Sequence, residues 1–287
     1  MPSMIDIKRR KASVTSTQQI TKAMKLVSTV KLQKAKGRAE QSKPYFDKMY
    51  STVTSILGKS GTIKHPYLTR NDAEKKAVIV VSSNRGLAGG YNSNVAKLLT
   101  ESDMPKEEVE IYGVGHKAIE TLARKGYVVA KDASEMIEEP SYEDANKLGA
   151  EVLDRYAAGE IGEIYLAYTR FKNTVVHVPT FVKLLPVEID ETAVEEEAQD
   201  TKTPMNYEPE AEESLDMIIP KYINSLIYGA FVEAHASENG ARMQAMDSAT
   251  SNAEEMIEAL TLQFNRARQG AITQELTEII SGAEALN

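Results

Sequence analysis

Eight apolar residues near the C-terminus, Met246, Ala249, Ala253, Met256, Leu260, Phe264, Ala267 and Ala271, recur at steps of three or four. Leu276, Ile279, Ala283 and Leu286 continue the pattern. A stripe this long and narrow is the seam of a coiled coil, and it requires a second helix to cover it. The other end of the chain supplies one. Residues 3–57 contain glycine only at Gly37 and proline only at Pro44, and Val14, Ile20, Met24, Val27 and Val30 return at helical spacing. At 1.5 Å rise per residue the C-terminal helix spans about 110 Å and the N-terminal one about 80 Å. The two are predicted to pair antiparallel. Ala241, Ala245, Ala249 and Ala253, four apart, would let the helix axes approach closely. Pro44 is expected to bend the first helix, Gly58 and Gly61 to end it, and Pro220 to kink the first turns of the last.

The middle of the chain follows a different rule. Short β-branched runs, Ala77–Val81, Val109–Tyr112, Tyr127–Ala130 and Glu163–Phe171, alternate with helical patterns near Asn92–Glu101, His116–Lys125 and Tyr142–Ala158. Residues 174–187 add one or two further strands. Strands alternating with helices imply a mostly parallel sheet covered by helices. The predicted fold is therefore α/β: a long antiparallel coiled coil of N- and C-terminal helices with an inserted Rossmann-like α/β domain. The segments are 1–58 (N-terminal shaft helix), 75–188 (α/β domain), 189–210 (acidic linker) and 211–287 (C-terminal shaft helix, pairing with 1–58).

The charge is unevenly spread. Between Lys8 and Arg38 stand ten basic residues and no acidic one, whereas Glu188 to Glu213 is strongly acidic. Such polarity marks a partner surface or a solvated helix face. The whole chain carries 34 Lys+Arg against 42 Asp+Glu, a poor balance for a general nucleic-acid binder. It has no cysteine, which excludes disulfides, thiol catalysis and cysteine-ligated metal. No apolar run reaches the roughly 20 residues needed to cross a bilayer, and the first residues carry no export signal.

Catalytic patterns are weak. Ser82-Ser83-Asn84-Arg85-Gly86-Leu87-Ala88-Gly89-Gly90 lies between a strand and a helix, where phosphate loops sit, but it lacks Gly-Lys-Ser/Thr. Gly113-Val114-Gly115 starts a dinucleotide fingerprint that Ala118 breaks. His65, His116, His177 and His235 show no metal spacing. No catalytic, cofactor or metal residue is assigned. A different signal lies at 264–276, where Arg266, Arg268, Gln269, Thr273, Gln274 and Glu275 crowd one stretch of helix. An ordinary solvated face would look similar. Two rival readings remain: a nucleotide-dependent α/β enzyme with helical arms, and a coiled-coil adaptor drawn by its basic helix to acidic surfaces.

Four long segments, in order, resemble the gamma subunits of the rotary F-type ATP synthases. They are Ile20–Ser28 (ITKAMKLVS), Ser83–Asn92 (SNRGLAGGYN), Glu238–Ala253 (ENGARMQAMDSATSNA) and Asn265–Ala285 (NRARQGAITQELTEIISGAEA). The resemblance implies a non-catalytic rotor shaft that couples ion flow to ATP synthesis on beta subunits. It implies three alpha and three beta subunits around one copy, with the epsilon subunit and the c-ring at the foot, no cofactor, and a peripheral place on the cytoplasmic face of the cell membrane. It carries Arg242, Arg268, Gln269, Thr273 and Glu275 onto an upper-shaft contact with beta. Lys22, Met24, Lys25, Lys31 and Arg85 fall at a contact with the acidic lever loop of beta, and Tyr207 and Glu208 at a contact with the c-ring. Ala88 stands where the family often has cysteine, and no chloroplast-type regulatory insert is present.

Overall fold

The computed structural model describes residues 3–59, 65–69, 71–187 and 211–284. The acidic segment 189–210, with Tyr207 and Glu208, lies outside them, as do Gly61 and Leu286. The chain forms two compact units: Thr29–Arg242, and Met1–Ser28 together with Met243–Asn287.

The larger unit is built on a five-stranded sheet. Its strands are β1 (Lys76–Val81), β2 (Val109–Val114), β3 (Val128–Asp132), β4 (Glu163–Phe171) and β5 (His177–Leu185), in the order β3-β2-β1-β4-β5. The first four are mutually parallel, and β5 returns antiparallel to β4. Residues 174–187 thus hold one strand. Helices α2 (Tyr91–Thr100), α3 (His116–Arg124) and α4 (Tyr142–Ala157) make the crossovers. Alternation along β1 divides the core in two. Val78 and Val80 face Val95, Leu99 and Leu122 of α2 and α3. Ala77, Ile79 and Val81 face the other side, with Leu148 and Val152 of α4. A strand buried on both faces reads as a continuous apolar run, which is why KAVIVV was legible.

The terminal helices are continuous: α1 is Met4–Lys59 and α5 is Ala211–Glu284, with Pro44 and Pro220 inside them. Gly58 does not end α1. Within the larger unit α5 is a layer of the sheet domain. Leu215, Ile219, Ile223, Ile227 and Phe231, at steps of four, are buried in the same core as α4 and the inner face of β1. There α1 runs antiparallel to it: Phe46 meets Tyr228 edge-on at 6.2 Å and Tyr50 meets Tyr222 at 6.5 Å between ring centroids.

The smaller unit is an antiparallel helix pair. Ser3 and Asp6 cap α1 reciprocally: the Asp6 amide donates to Ser3 Oγ (3.2 Å) and the Ser3 amide to Asp6 Oδ2 (3.3 Å). On α1 Ile7, Val14, Thr21 and Ser28, seven apart, are buried or half-buried, with half-buried Met4, Lys11, Gln18 and Lys25 in alternation with them. On α5 the line is Met246, Ala249, Thr250, Ala253, Ile257, Leu260, Phe264 and Ala267. This corrects the expected seam in three places. Ile20 and Val27 are each 58 % exposed, because they lie one residue off the line that small Thr21 and Ser28 occupy. Met256 gives its place to Ile257. Beyond Ala267 the seam ends among the described residues: Ala271, Leu276, Ile279 and Ala283 are exposed.

Candidate functional site

Two places carry the candidate residues. In the larger unit the chain leaves β1 at Val81 and enters the loop Ser82–Gly90, at the carboxyl ends of the strands where the strand order reverses. Folds of this kind place ligands there. Here protein groups fill the role of an anion. The amides that open α3 are met by Asn84 Oδ1 (from His116 N, 3.0 Å), the Ser83 carbonyl (from Lys117 N, 3.0 Å) and Ser82 Oγ (from Ala118 N, 3.0 Å). Ser83 N and Oγ donate to Asn92 Oδ1, and Asn84 Nδ2 donates to the Ser134 carbonyl at 2.8 Å. Gly115 is required at this junction. Its φ is +102°, and a Cβ there would stand 2.1 Å from the Ser82 carbonyl oxygen.

The loop, the start of α2 and β4 are each bonded to α5. Tyr91 donates its hydroxyl to the Ala234 carbonyl (3.1 Å), Ser237 Oγ donates to the Thr169 carbonyl (3.1 Å), and Arg242 Nη2 donates to the Gly86 carbonyl (3.4 Å). Arg242 also forms an ion pair with Glu238 at 2.7 Å, one helical turn away, with both side chains only 12 % exposed. Burial raises the Glu238 carboxyl above its usual range, against the pull of Arg242 and Lys31. His235 is driven the other way, down to about 4, first by burial and then by the charges of Lys31, Arg38 and Arg242. The result is a rigid loop whose outward groups are Arg85 and Leu87, the latter held at φ +62°. Strain of this kind persists only where the surroundings over-determine the backbone.

The smaller unit holds the other candidates. Arg268, Gln269, Thr273 and Glu275 are all exposed. Thr273 donates its hydroxyl proton to the Gln269 carbonyl (2.9 Å), which leaves its exposed oxygen to accept from a partner. Lys22 is exposed and Met24 half-buried. Lys25 is engaged across the helix pair with Asp247 at 2.6 Å. The structure therefore groups Lys22, Met24 and Lys25 with Arg268, Gln269, Thr273 and Glu275 in one compact unit, and Lys31, Arg85 and Arg242 in the other. Sequence reasoning passed over Ser82, Ser83, Asn84 and Asn92 as loop locks, and over Glu238 as the partner of Arg242. The i,i+4 spacing of Glu238 and Arg242 was a usable signal.

A family model described as ATP synthase matches residues 3–286. The chain is 64 % identical over 291 residues to the "ATP synthase gamma chain" of Lachnoclostridium phytofermentans, covering 100 % of both chains. The chain belongs to the ATP synthase gamma-chain family. It is also 42 % identical over 296 residues to the "ATP synthase gamma chain, sodium ion specific" of Acetobacterium woodii, covering 98 % of each. Among solved structures, a chain from the Euglena gracilis mitochondrial ATP synthase, an assembly of OSCP, F1 and c-ring, shares the fold at a TM-score of 0.65 and 17 % identity. That match covers 99 % of this chain and 94 % of the other. Among the described residues no helix is long and apolar enough to cross a membrane, and no cluster of three or more His, Asp or Glu could hold a metal ion.

Proposed function

We propose that the chain is the rotor of an F-type ATP synthase and performs no chemistry itself. The terminal helices 1–58 and 211–287 act as the shaft, residues 75–188 as the foot, and the acidic segment 189–210 as a link between foot and shaft. Three alpha and three beta subunits surround the shaft. The foot meets the epsilon subunit and the c-ring, with Tyr207 and Glu208 on the c-ring side. The assembly stands on the cytoplasmic face of the cell membrane, and the chain's place there is peripheral.

The observation that carries this reading is the unpaired end of α5. From Arg268 to Ala283 every residue is exposed, and Ile272, Leu276, Ile279 and Ile280 are each about half exposed or more. Contiguous apolar surface of that kind is unfavourable in water and marks a contact with another protein. Beside it stand Arg268 and Gln269, long hydrogen-bonding side chains exposed to solvent. A surrounding ring of three like pairs presents three equivalent faces, whereas a pair of unequal helices has no threefold symmetry. Each beta subunit therefore meets a different surface, and only such differential contacts can bias a conformational equilibrium. Arg242, Arg268, Gln269, Thr273 and Glu275 serve as the upper contacts with beta. Lys22, Met24, Lys25, Lys31 and Arg85 push against its acidic lever loop. Exposed ion pairs contribute only about 0.2–1 kcal/mol each, so the push is spread over several.

Arg268→Ala with Gln269→Ala tests the reading. The folded chain is expected to keep its thermal stability, because both side chains are exposed. ATP turnover of the assembled enzyme is expected to fall about tenfold or more, the factor that accompanies roughly 1.4 kcal/mol of lost differential contact. Full turnover with intact coupling would show that these two side chains make no working contact with beta.

A further inference from the structure

Helices that carry torque must not slide along each other. That requirement, and the device inferred from it, rest on the rotor reading. Much of the seam in the smaller unit is smooth: Ile7 and Val14 on α1, Ala253, Ile257 and Leu260 on α5. A smooth apolar seam buries similar area in several registers, so it fixes axial position poorly; polar residues at seam positions are what select one register. Ser28 is a buried polar residue of the seam, and at one other level polar side chains meet across it. Thr21 and Thr250 are both buried, and their hydroxyl oxygens lie 2.8 Å apart. Thr250 Oγ1 also reaches the Met246 carbonyl at 2.7 Å, and Thr21 Oγ1 reaches the Gln18 carbonyl at 3.0 Å.

Two protons serve these three contacts. Either Thr21 donates to Thr250 while Thr250 donates to the Met246 carbonyl, or Thr250 donates to Thr21 while Thr21 donates to the Gln18 carbonyl. Both arrangements satisfy both hydroxyls. A slide of a few ångström removes the partner oxygen, and each hydroxyl then falls back on its own helix carbonyl. Sliding therefore loses one hydrogen bond and strands no buried donor. Two exposed cross-helix contacts flank the level: Gln18 Nε2 donates to Glu254 Oε1 at 2.9 Å, and Lys25 pairs with Asp247 at 2.6 Å. As the α1 number rises the α5 number falls in step, so all three contacts specify the same register.

We propose that the Thr21–Thr250 hydroxyl pair is a register pin: two positioning residues that set the axial alignment of the shaft helices and release without leaving an unpaired buried group. A pin that releases in this way re-engages when the load falls. The pin differs from Lys22, Met24 and Arg268, which are proposed to touch beta, in that it acts only through the alignment of the surfaces on which those residues stand.

The test uses the full chain in the assembled enzyme. The chain has no cysteine of its own, so Ser13→Cys on α1 and Glu258→Cys on α5, both at exposed positions, take spin labels selectively before assembly with alpha and beta. Pulsed electron–electron resonance then reads the distance between the helices. With both threonines present, one narrow distribution is expected. Thr21→Val with Thr250→Val keeps the volume and removes the hydroxyls. It is expected to raise the misaligned share about fivefold, the effect of one net hydrogen bond. Thr21→Ser with Thr250→Ser is expected to restore the narrow distribution, because serine keeps the hydroxyl. The ratio of ion pumping to ATP hydrolysis in membrane vesicles is expected to drop in the valine variant and to recover in the serine variant. An unchanged distance distribution in the valine variant overturns the pin. A shifted distribution with an unchanged pumping ratio overturns its role in coupling. Should the double variant not assemble, Thr21→Val alone leaves Thr250 bonded to the Met246 carbonyl and serves the same comparison. Failure of the unmutated chain to support pumping counts against the rotor reading and leaves the distance measurement to decide the pin.

Discussion

Different chemistry stabilises each of the two compact units. The sheet unit has a deep core, in which Phe231, Ile223 and Ile227 of α5 are buried with Ile79 and Leu148. The helix-pair unit has only a narrow line of contact, in which threonine, serine and alanine stand among the apolar residues. The sheet unit also buries ions, with Glu238 and Arg242 paired beneath the glycine loop, whereas the cross-helix ion pair of the helix unit, Lys25 with Asp247, is exposed. Depth stabilises a fixed shape. A thin seam leaves both helices with most of their surface free for other proteins, as the proposed place inside a ring requires.

The two units should differ most in what a core truncation costs. Phe231→Ala empties a fully buried site and is expected to cost about 3–5 kcal/mol of stability. Leu260→Ala, on the thin seam, is expected to fall near the lower end of the roughly 2–5 kcal/mol range for such truncations. Denaturant unfolding of both variants checks the order, and a larger loss at Leu260 would reverse it.

His235 gives the sheet unit a pH dependence of its own. Because its folded value is pushed down to about 4, the unfolded chain binds a proton that the folded chain refuses. Stability is therefore full above pH about 6.5 and declines as the pH falls toward 4, by as much as about 3 kcal/mol. Glu238, raised by burial, acts in the opposite sense: its contribution declines as the pH rises above the ordinary carboxylate range. His235→Gln is expected to flatten the decline between pH 6.5 and 4, measured by thermal unfolding across that range. An unaltered slope would show that His235 is not held neutral in the sheet unit.

The smallest expected effect is at Lys25. Exchange of the charges, Lys25→Asp with Asp247→Lys, is expected to change stability by less than about 1 kcal/mol, since the pair is exposed. If Lys25 acts only on Asp247, the exchanged pair also keeps enzyme turnover. If it also pushes on an acidic loop of beta, turnover falls while stability holds.

The sheet was legible because its central strands announce themselves. Lys76–Val81 and Glu163–Phe171 are apolar on both faces, and the helices between them keep clean spacing. The helix pair was legible as a pair but misread as a surface. Ile20, Val27 and Val30 looked like the seam because they are apolar, yet Ile20 and Val27 are exposed, and the seam itself runs through Thr21 and Ser28. Hydrophobic periodicity presumes that apolar residues are the buried ones; where helices approach closely, small size decides burial instead. The glycine loop was noticed for its resemblance to a phosphate site. Its actual partners, Asn84 on the start of α3 and Arg242 on Gly86, join residues far apart in the chain, and no local pattern reveals them. Arg268 and Gln269 stood out in the sequence as long polar side chains crowded on one stretch of helix, and in the fold that stretch is exposed.

The proposed role is that of a non-catalytic rotor. It is tested most directly by mixing the chain with alpha and beta subunits of an F-type enzyme from the same source, then measuring the mass of the complex and its ATP turnover. One copy per three alpha–beta pairs, with sustained turnover raised above that of alpha and beta alone and no hydrolysis by the isolated chain, is the predicted result. Failure of competent alpha and beta to take up the chain, or ATP hydrolysis by the chain on its own, would contradict it.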